Sequence, residues 1–155
     1  MKIRTANKFD IPAIIAMMKR YREHSPLPCL RDADNIPYIE SIITHILAGR
    51  GIIFIAEQSD DAVGMLIALK NPNVWDPAIL VMNELAYWVN EEHRGSTAGY
   101  RLLDAYRQHC QELVTAGQIR FFTISKMVNS PDLKYEKFGF EKLEEMWRSE
   151  ECQPV

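Results

Sequence analysis

The chain has 155 residues, 47% of them hydrophobic, which is material for one core and too little for two. Its 18 basic and 21 acidic residues are interspersed and sum to −3, so no basic field draws in phosphate backbones and nucleic acid is disfavoured as a partner. No apolar run reaches the length of a membrane span, and Met1-Lys2-Ile3-Arg4-Thr5 lacks a signal peptide's apolar core, so a cytoplasmic protein with no membrane partner is expected.

Residues 2–6 read as a short strand, after which Asp10 is placed to cap a helix whose apolar face is Ile11, Ile14, Ile15 and Met18. Phe9 and Ile14 have the spacing of a hydrophobic staple. Asn35 opens a second helix with Ile39, Ile42, Ile43, Ile46 and Leu47 in register, and Gly49 is positioned to stop it. The stretches 51–57, 62–70, 79–89 and 119–125 are short, rich in Ile, Val, Phe and Met, and bounded by turn residues, as strands are.

Between the last two of these strands, residues 97–115 place Leu102, Leu103, Tyr106, Cys110, Leu113 and Val114 on one helical face, a βαβ pattern. A short helix around 131–138 and a final strand over 140–147 complete the predicted order β-α-α-β-β-β-α-β-α-β. Cys29, Cys110 and Cys152 show neither a CxxC pair nor zinc spacing, so reduced thiols and no metal are expected.

The segment most suited to chemistry is Tyr87-Trp88-Val89-Asn90-Glu91-Glu92-His93-Arg94-Gly95-Ser96-Thr97-Ala98-Gly99-Tyr100, where an apolar strand ends and small residues start a helix. Such a helix start leaves backbone N–H groups uncovered at the positive end of the helix dipole, a setting that suits a pyrophosphate. Small residues also start helices for purely structural reasons, so the segment does not decide alone. A second motif follows the next strand: Tyr135-Glu136-Lys137-Phe138-Gly139-Phe140.

Together the two motifs resemble the GNAT superfamily of N-acyltransferases, and the likeness in element order runs from about residue 2 to 147. Arg94-Gly95-Ser96-Thr97-Ala98-Gly99 stands where that family carries Arg/Gln-x-x-Gly-x-Gly/Ala, with Gly99 matching and Thr97 replacing the first of the two. Tyr135, Gly139 and Phe140 match the family's Tyr-x-x-x-Gly-Phe.

The resemblance implies a mixed α/β fold, with 1–155 as a single N-acetyltransferase domain and acetyl-CoA as co-substrate. The amides of Arg94, Gly95, Ser96, Thr97, Ala98 and Gly99 would hold the pyrophosphate, and the backbone at Tyr87, Trp88 and Val89 would pair with the pantetheine arm. Asn129 would touch that arm, and Tyr135 would donate to the leaving sulfur.

Glu84, a carboxylate amid Val81, Met82, Leu85 and Ala86, is the candidate base, although strand alternation leaves a solvent-facing Glu84 equally open. His93 is assigned no role. The acceptor, an amine the sequence does not identify, would be read by residues 21–35 and by the 71–78 loop with Trp75, where Glu23, Asp32 and Asp34 offer negative charge.

Exposed strand edges leave room for a homodimer. Two alternatives stand beside the enzyme: a degenerate acyl-CoA-binding domain, suggested by Thr97, and an acyltransferase acting on nucleic acid, which the charge argues against.

Overall fold

In the computed structural model, which describes residues 1–154, five strands form one sheet in chain order: β1 (Lys2–Thr5), β2 (Gly51–Gln58), β3 (Asp61–Pro72), β4 (Leu80–Val89) and β5 (Phe121–Thr123). The first three junctions are antiparallel and the last, β4 to β5, is parallel. Ser59 and Asp60 make the tight β2–β3 turn with φ of 52° and 68°, the left-handed pair that matches the twist of a two-residue hairpin.

Helices cover both faces of the sheet. On one side, α1 (Ile11–Glu23) and α2 (Ile36–His45) pack through Ile14, Met17 and Ile43 on Ile53, Ile55, Met65, Ile67, Ala86 and Trp88. On the other, α3 (Ala98–Thr115) packs through Leu102, Tyr106 and Cys110 on Phe54, Ala56, Leu66, Ala68 and Met82. Because successive strand residues point to opposite faces, a strand buried on both must be apolar throughout, which explains the unbroken runs in β2 and β3.

The ladder slips at two places, at Val63 between β2 and β3 and again within β4. Ile67 pairs with Ala86 and Ala68 with Glu84, so Leu85 has no cross-strand partner and β4 bends there. On its other edge β4 pairs with β5 only through Val81, Met82 and Asn83, opposite Phe121, Phe122 and Thr123, after which the two strands part. The fully buried Tyr106 sits behind this fork and donates its hydroxyl to the Thr123 carbonyl at 2.8 Å, with the Met82 carbonyl 3.4 Å away. Asn83 Nδ2 adds a bond of 2.7 Å to Thr123 Oγ1.

Several expectations are corrected. Asp10 stands at the N-cap position of α1 but makes no capping bond to it; Asn7 caps the preceding turn Lys8–Asp10 by accepting from the Phe9 amide, while Asp10 accepts from the Asn7 amide and from Arg4, an ion pair that ties the loop to β1. Phe9 is exposed, so it makes no staple. Asn35 does cap α2, accepting from the Tyr38 amide, and Gly49 ends that helix with φ of 110°.

Residues 131–138 supply only the single turn Tyr135–Phe138, and 140–147 form no strand. Leu143, Met146 and Trp147 are 74%, 94% and 85% exposed, and Glu141, Lys142, Glu144 and Glu145 between them leave no continuous apolar face to hold the segment on the sheet. Cys29 and Cys152 are bonded, not reduced, with Cα atoms 5.6 Å apart across 123 residues, while Cys110 is free and buried. The spacing rules see only nearby cysteines, whereas this pair meets through the α1–α2 connection and the C-terminal tail.

Two outcomes follow from the fold. Thiol titration of the air-oxidised protein in denaturant should count one thiol per chain, and three would contradict the Cys29–Cys152 bond. Tyr106→Phe, which removes the donor behind the fork, should cost about 1–2 kcal/mol in urea unfolding, and a change below about 0.3 kcal/mol would show the hydroxyl to be idle.

Candidate functional site

The fork opens into a cavity of about 350 Å³ whose walls come from four parts of the chain. β4 contributes Glu84, Tyr87, Trp88 and Val89; the turn into α3 contributes His93, Arg94, Gly95, Ser96, Gly99 and Tyr100. The segment after β5 adds Ser125, Met127, residues 129–133 and Tyr135, and the end of α1 adds Tyr21 and His24.

At the helix end of the cavity, alternate amides are satisfied. Those of Arg94 and Ser96 donate to the carbonyls of Glu91 and His93 at 3.1 and 3.3 Å, and that of Ala98 donates to Ser96 Oγ at 3.2 Å. The amides of Gly95, Thr97, Gly99 and Tyr100 have no acceptor among the described residues, and they lie at the positive end of an 18-residue helix. Gly95 turns the chain with φ of 87°, a conformation costly for other residues. A Cβ on Gly99 would lie 3.3 Å from the Tyr87 hydroxyl, which donates to the Gly99 carbonyl, so a larger residue there would push that hydroxyl aside.

Thr97 and Ala98 do not line the cavity. Thr97 is exposed, and Ala98 is fully buried in the core beneath α3. Arg94 lays its guanidinium 4.4 Å from the Trp88 ring centroid and donates from Nε to the Val89 carbonyl at 3.1 Å, which holds the turn against the end of β4.

At the fork itself, Glu84 turns its carboxylate to the Ser125 amide at 3.2 Å, bridging the strands where their ladder has stopped. Burial raises its pKa to about 7, against the opposing pull of that amide bond. The solvent-facing alternative for Glu84 therefore fails: the residue lines the cavity and is largely covered.

Tyr135 lines the same cavity, and its hydroxyl is pushed up to about 12 by burial first and then by the negative charge of Glu84. Gly139, with φ of 83°, closes the turn that carries it, so Phe140 folds back with its amide 3.2 Å from the Tyr135 carbonyl and its ring 6.2 Å from the Tyr135 ring. That return explains the spacing Tyr-x-x-x-Gly-Phe, since only a left-handed residue ends the turn so abruptly.

The α1 wall is aromatic and tied down. Tyr21 packs edge-on to Trp88 at 6.3 Å and reaches Met127 Sδ at 4.0 Å. His24 lies 4.9 Å from Trp88, pairs through Nε2 with Glu91, and has Nδ1 2.9 Å from the Arg20 carbonyl. Asn129 is in the lining, but its amide donates to the His24 carbonyl at 2.7 Å, so it joins two loops.

No residue of 71–78 reaches the cavity, and Trp75 stands 89% exposed elsewhere. Glu23, Asp32 and Asp34 do not line it either, and Glu23 and Asp34 pair with Arg22. The sequence reading also missed Tyr100, Ser125, Met127 and Leu133, and passed over His93. These residues carry no periodicity, and only the parting of β4 from β5 makes them neighbours.

Residues 15–140 match the model of the Acetyltransferase (GNAT) family. No curated protein matches the sequence. Among solved structures, a predicted acetyltransferase of Clostridium acetobutylicum with acetyl-CoA superposes with a TM-score of 0.71 at 15% identity, over 96% of this chain and 94% of that one. An acetyltransferase of Trypanosoma brucei gives 0.68 at 16%, over 96% and 98%. A ribosomal-protein-alanine N-acetyltransferase of Brucella melitensis gives 0.59 at 18%, over 72% and 68%. At such identities these likenesses establish the shared fold, and the family model spans most of the sequence: the chain belongs to the GNAT acetyltransferase family.

Proposed function

We propose that this protein transfers an acetyl group from acetyl-CoA to a primary amine by direct attack within a ternary complex. The observation that carries the reading is the shared cavity at the fork, where Glu84 and Tyr135 stand beside a helix start with four uncommitted amides. The amides of Gly95, Thr97, Gly99 and Tyr100 would receive the pyrophosphate. The parted edge of β4 at Tyr87, Trp88 and Val89 would receive the pantetheine arm as a partial strand. Thr97 keeps its backbone donor free, so its presence in place of glycine does not argue for an inactive domain.

Magnitudes assign the proton traffic. An alkylammonium with a pKa of about 10 is a poor nucleophile, so the small neutral fraction attacks, and the nitrogen becomes acidic as its bond to the carbonyl carbon forms. Glu84, near pH 7, accepts that proton. The carbon–sulfur bond breaks and leaves a thiolate. Outright transfer from Tyr135, with its pKa of about 12, to a thiolate of ordinary pKa about 8.5 is uphill by roughly 5 kcal/mol. Tyr135 therefore acts as a hydrogen-bond donor to the sulfur as charge develops, and the thiolate takes its final proton from solvent, to which Glu84 returns the one it accepted.

Thermal denaturation with acetyl-CoA tests the reading first: ligand at a hundredfold excess over Kd should raise Tm by about 5–10 °C. No shift at millimolar ligand would defeat it. Tyr135→Phe should lower kcat about 100-fold while retaining that shift, and an unchanged kcat would remove Tyr135 from the chemistry.

Glu84→Gln should lower kcat/KM by about 100-fold and abolish the acid limb of the pH profile near 7. Its stability should also diverge from wild type in a defined direction. Below about pH 4.5 the carboxyl is protonated in both states; between there and pH 7 the unfolded chain ionises first, so wild-type stability falls as pH rises. Urea unfolding should thus find the two proteins alike at pH 4.5 and the variant more stable by about 1–3 kcal/mol at pH 8. A gap that shrinks with rising pH would contradict the raised pKa.

A further inference from the structure

The cavity has two carboxylates in its lining, Glu84 and Asp132. Asp132 is occupied by the chain's own cations, Lys126 Nζ at 3.3 Å and Lys134 Nζ at 3.1 Å. The acids just outside are occupied as well: Glu91 pairs with His24, Glu92 with Arg20 at 2.8 Å, and Asp34 with Arg22 at 3.3 Å. Asp32, which has no ion pair among the described residues, is outside the lining. One carboxylate, Glu84, is left without a cation, and it sits at the fork.

Around Glu84 the α1 side of the cavity is apolar and aromatic. Tyr21 touches both Trp88 and Met127 there, and burial first, then the nearby charge of Glu84, raises the pKa of its hydroxyl. A second ammonium brought into this space would lose water and meet no second free carboxylate, whereas a ring or alkyl body would replace water against Tyr21 and Met127.

Resting on the acetyl-transfer reading above, we infer that the acceptor is a primary monoamine with an apolar or aromatic body, directed to Glu84 and packed on Tyr21 and Met127, and not a polyamine or a basic peptide. Tyr21 is then a specificity-determining residue.

Thiol release from acetyl-CoA, followed with 2-phenylethylamine, butylamine, spermidine and a lysine-containing peptide at pH 8, tests this. The expected result is a kcat/KM for 2-phenylethylamine at least about tenfold above spermidine and the peptide, with butylamine between. Tyr21→Ala should raise KM for 2-phenylethylamine about tenfold, lower the butylamine rate less, and keep the Tm rise with acetyl-CoA. Equal or better turnover of spermidine or the peptide overturns the inference and leaves acetyl transfer standing. A retained acetyl-CoA shift with no turnover of any of the four amines also overturns it. Loss of the acetyl-CoA shift in the wild-type protein brings down the transfer reading and this inference with it.

Discussion

Everything at the site depends on a parallel pairing that stops after three residues. A parallel ladder between buried strands ordinarily continues as far as both strands run, because each unpaired N–H or C=O left in the interior costs free energy. Here β4 is bent by the unpaired Leu85, and Tyr106 holds β5 from behind through the Thr123 carbonyl, so the strands part where Glu84 begins. The exposed edge of β4 and the amide of Ser125 then need other partners. Glu84 supplies one of them, and the remainder of the edge faces a cavity that a ligand with amide groups of its own can complete.

The same fork sets the electrostatics. Glu84 is drawn out of water by the core beneath it, with one backbone donor to offset the loss, so its proton is held to about pH 7. Tyr135 and Tyr21 share that cavity, and burial first and the carboxylate second push their hydroxyls up as well, so they retain their protons well above neutrality. A carboxylate and two hydroxyls are thereby placed together in one cavity. Arg20 and Glu92, and the lysines at 126 and 134 with Asp132, pair around the rim, which leaves Glu84 as the lining carboxylate without a cation.

Much of the scaffold was legible because its signals are local. The runs of β2 and β3, the face of α3 and the cap at Asn35 follow from periodicity and side-chain chemistry within a few residues. The glycines at 95, 99 and 139 could be read because the backbone there disfavours side chains, by left-handed φ at 95 and 139 and by the nearness of the Tyr87 hydroxyl at 99. What escaped depends on contacts distant in sequence. Cys29 meets Cys152, Met127 meets Tyr21, and the 140–147 segment stays off the sheet because its charges interrupt every apolar face. Asp10 does stand at the N-cap position of α1, but its carboxylate turns to Arg4 on β1 and to the Asn7 amide, partners the local pattern does not show.

The central claim is that the fork holds acetyl-CoA with its reacting end between Glu84 and Tyr135. A crystal structure with coenzyme A bound tests it most directly. The account predicts the pyrophosphate within hydrogen-bonding distance of the Gly95, Thr97, Gly99 and Tyr100 amides, the pantetheine arm along β4 at Tyr87 to Val89, and the thiol in the cavity lined by Glu84 and Tyr135. Coenzyme A bound on another face, or β4 and β5 closed together beyond Thr123 with the ligand excluded, would contradict it.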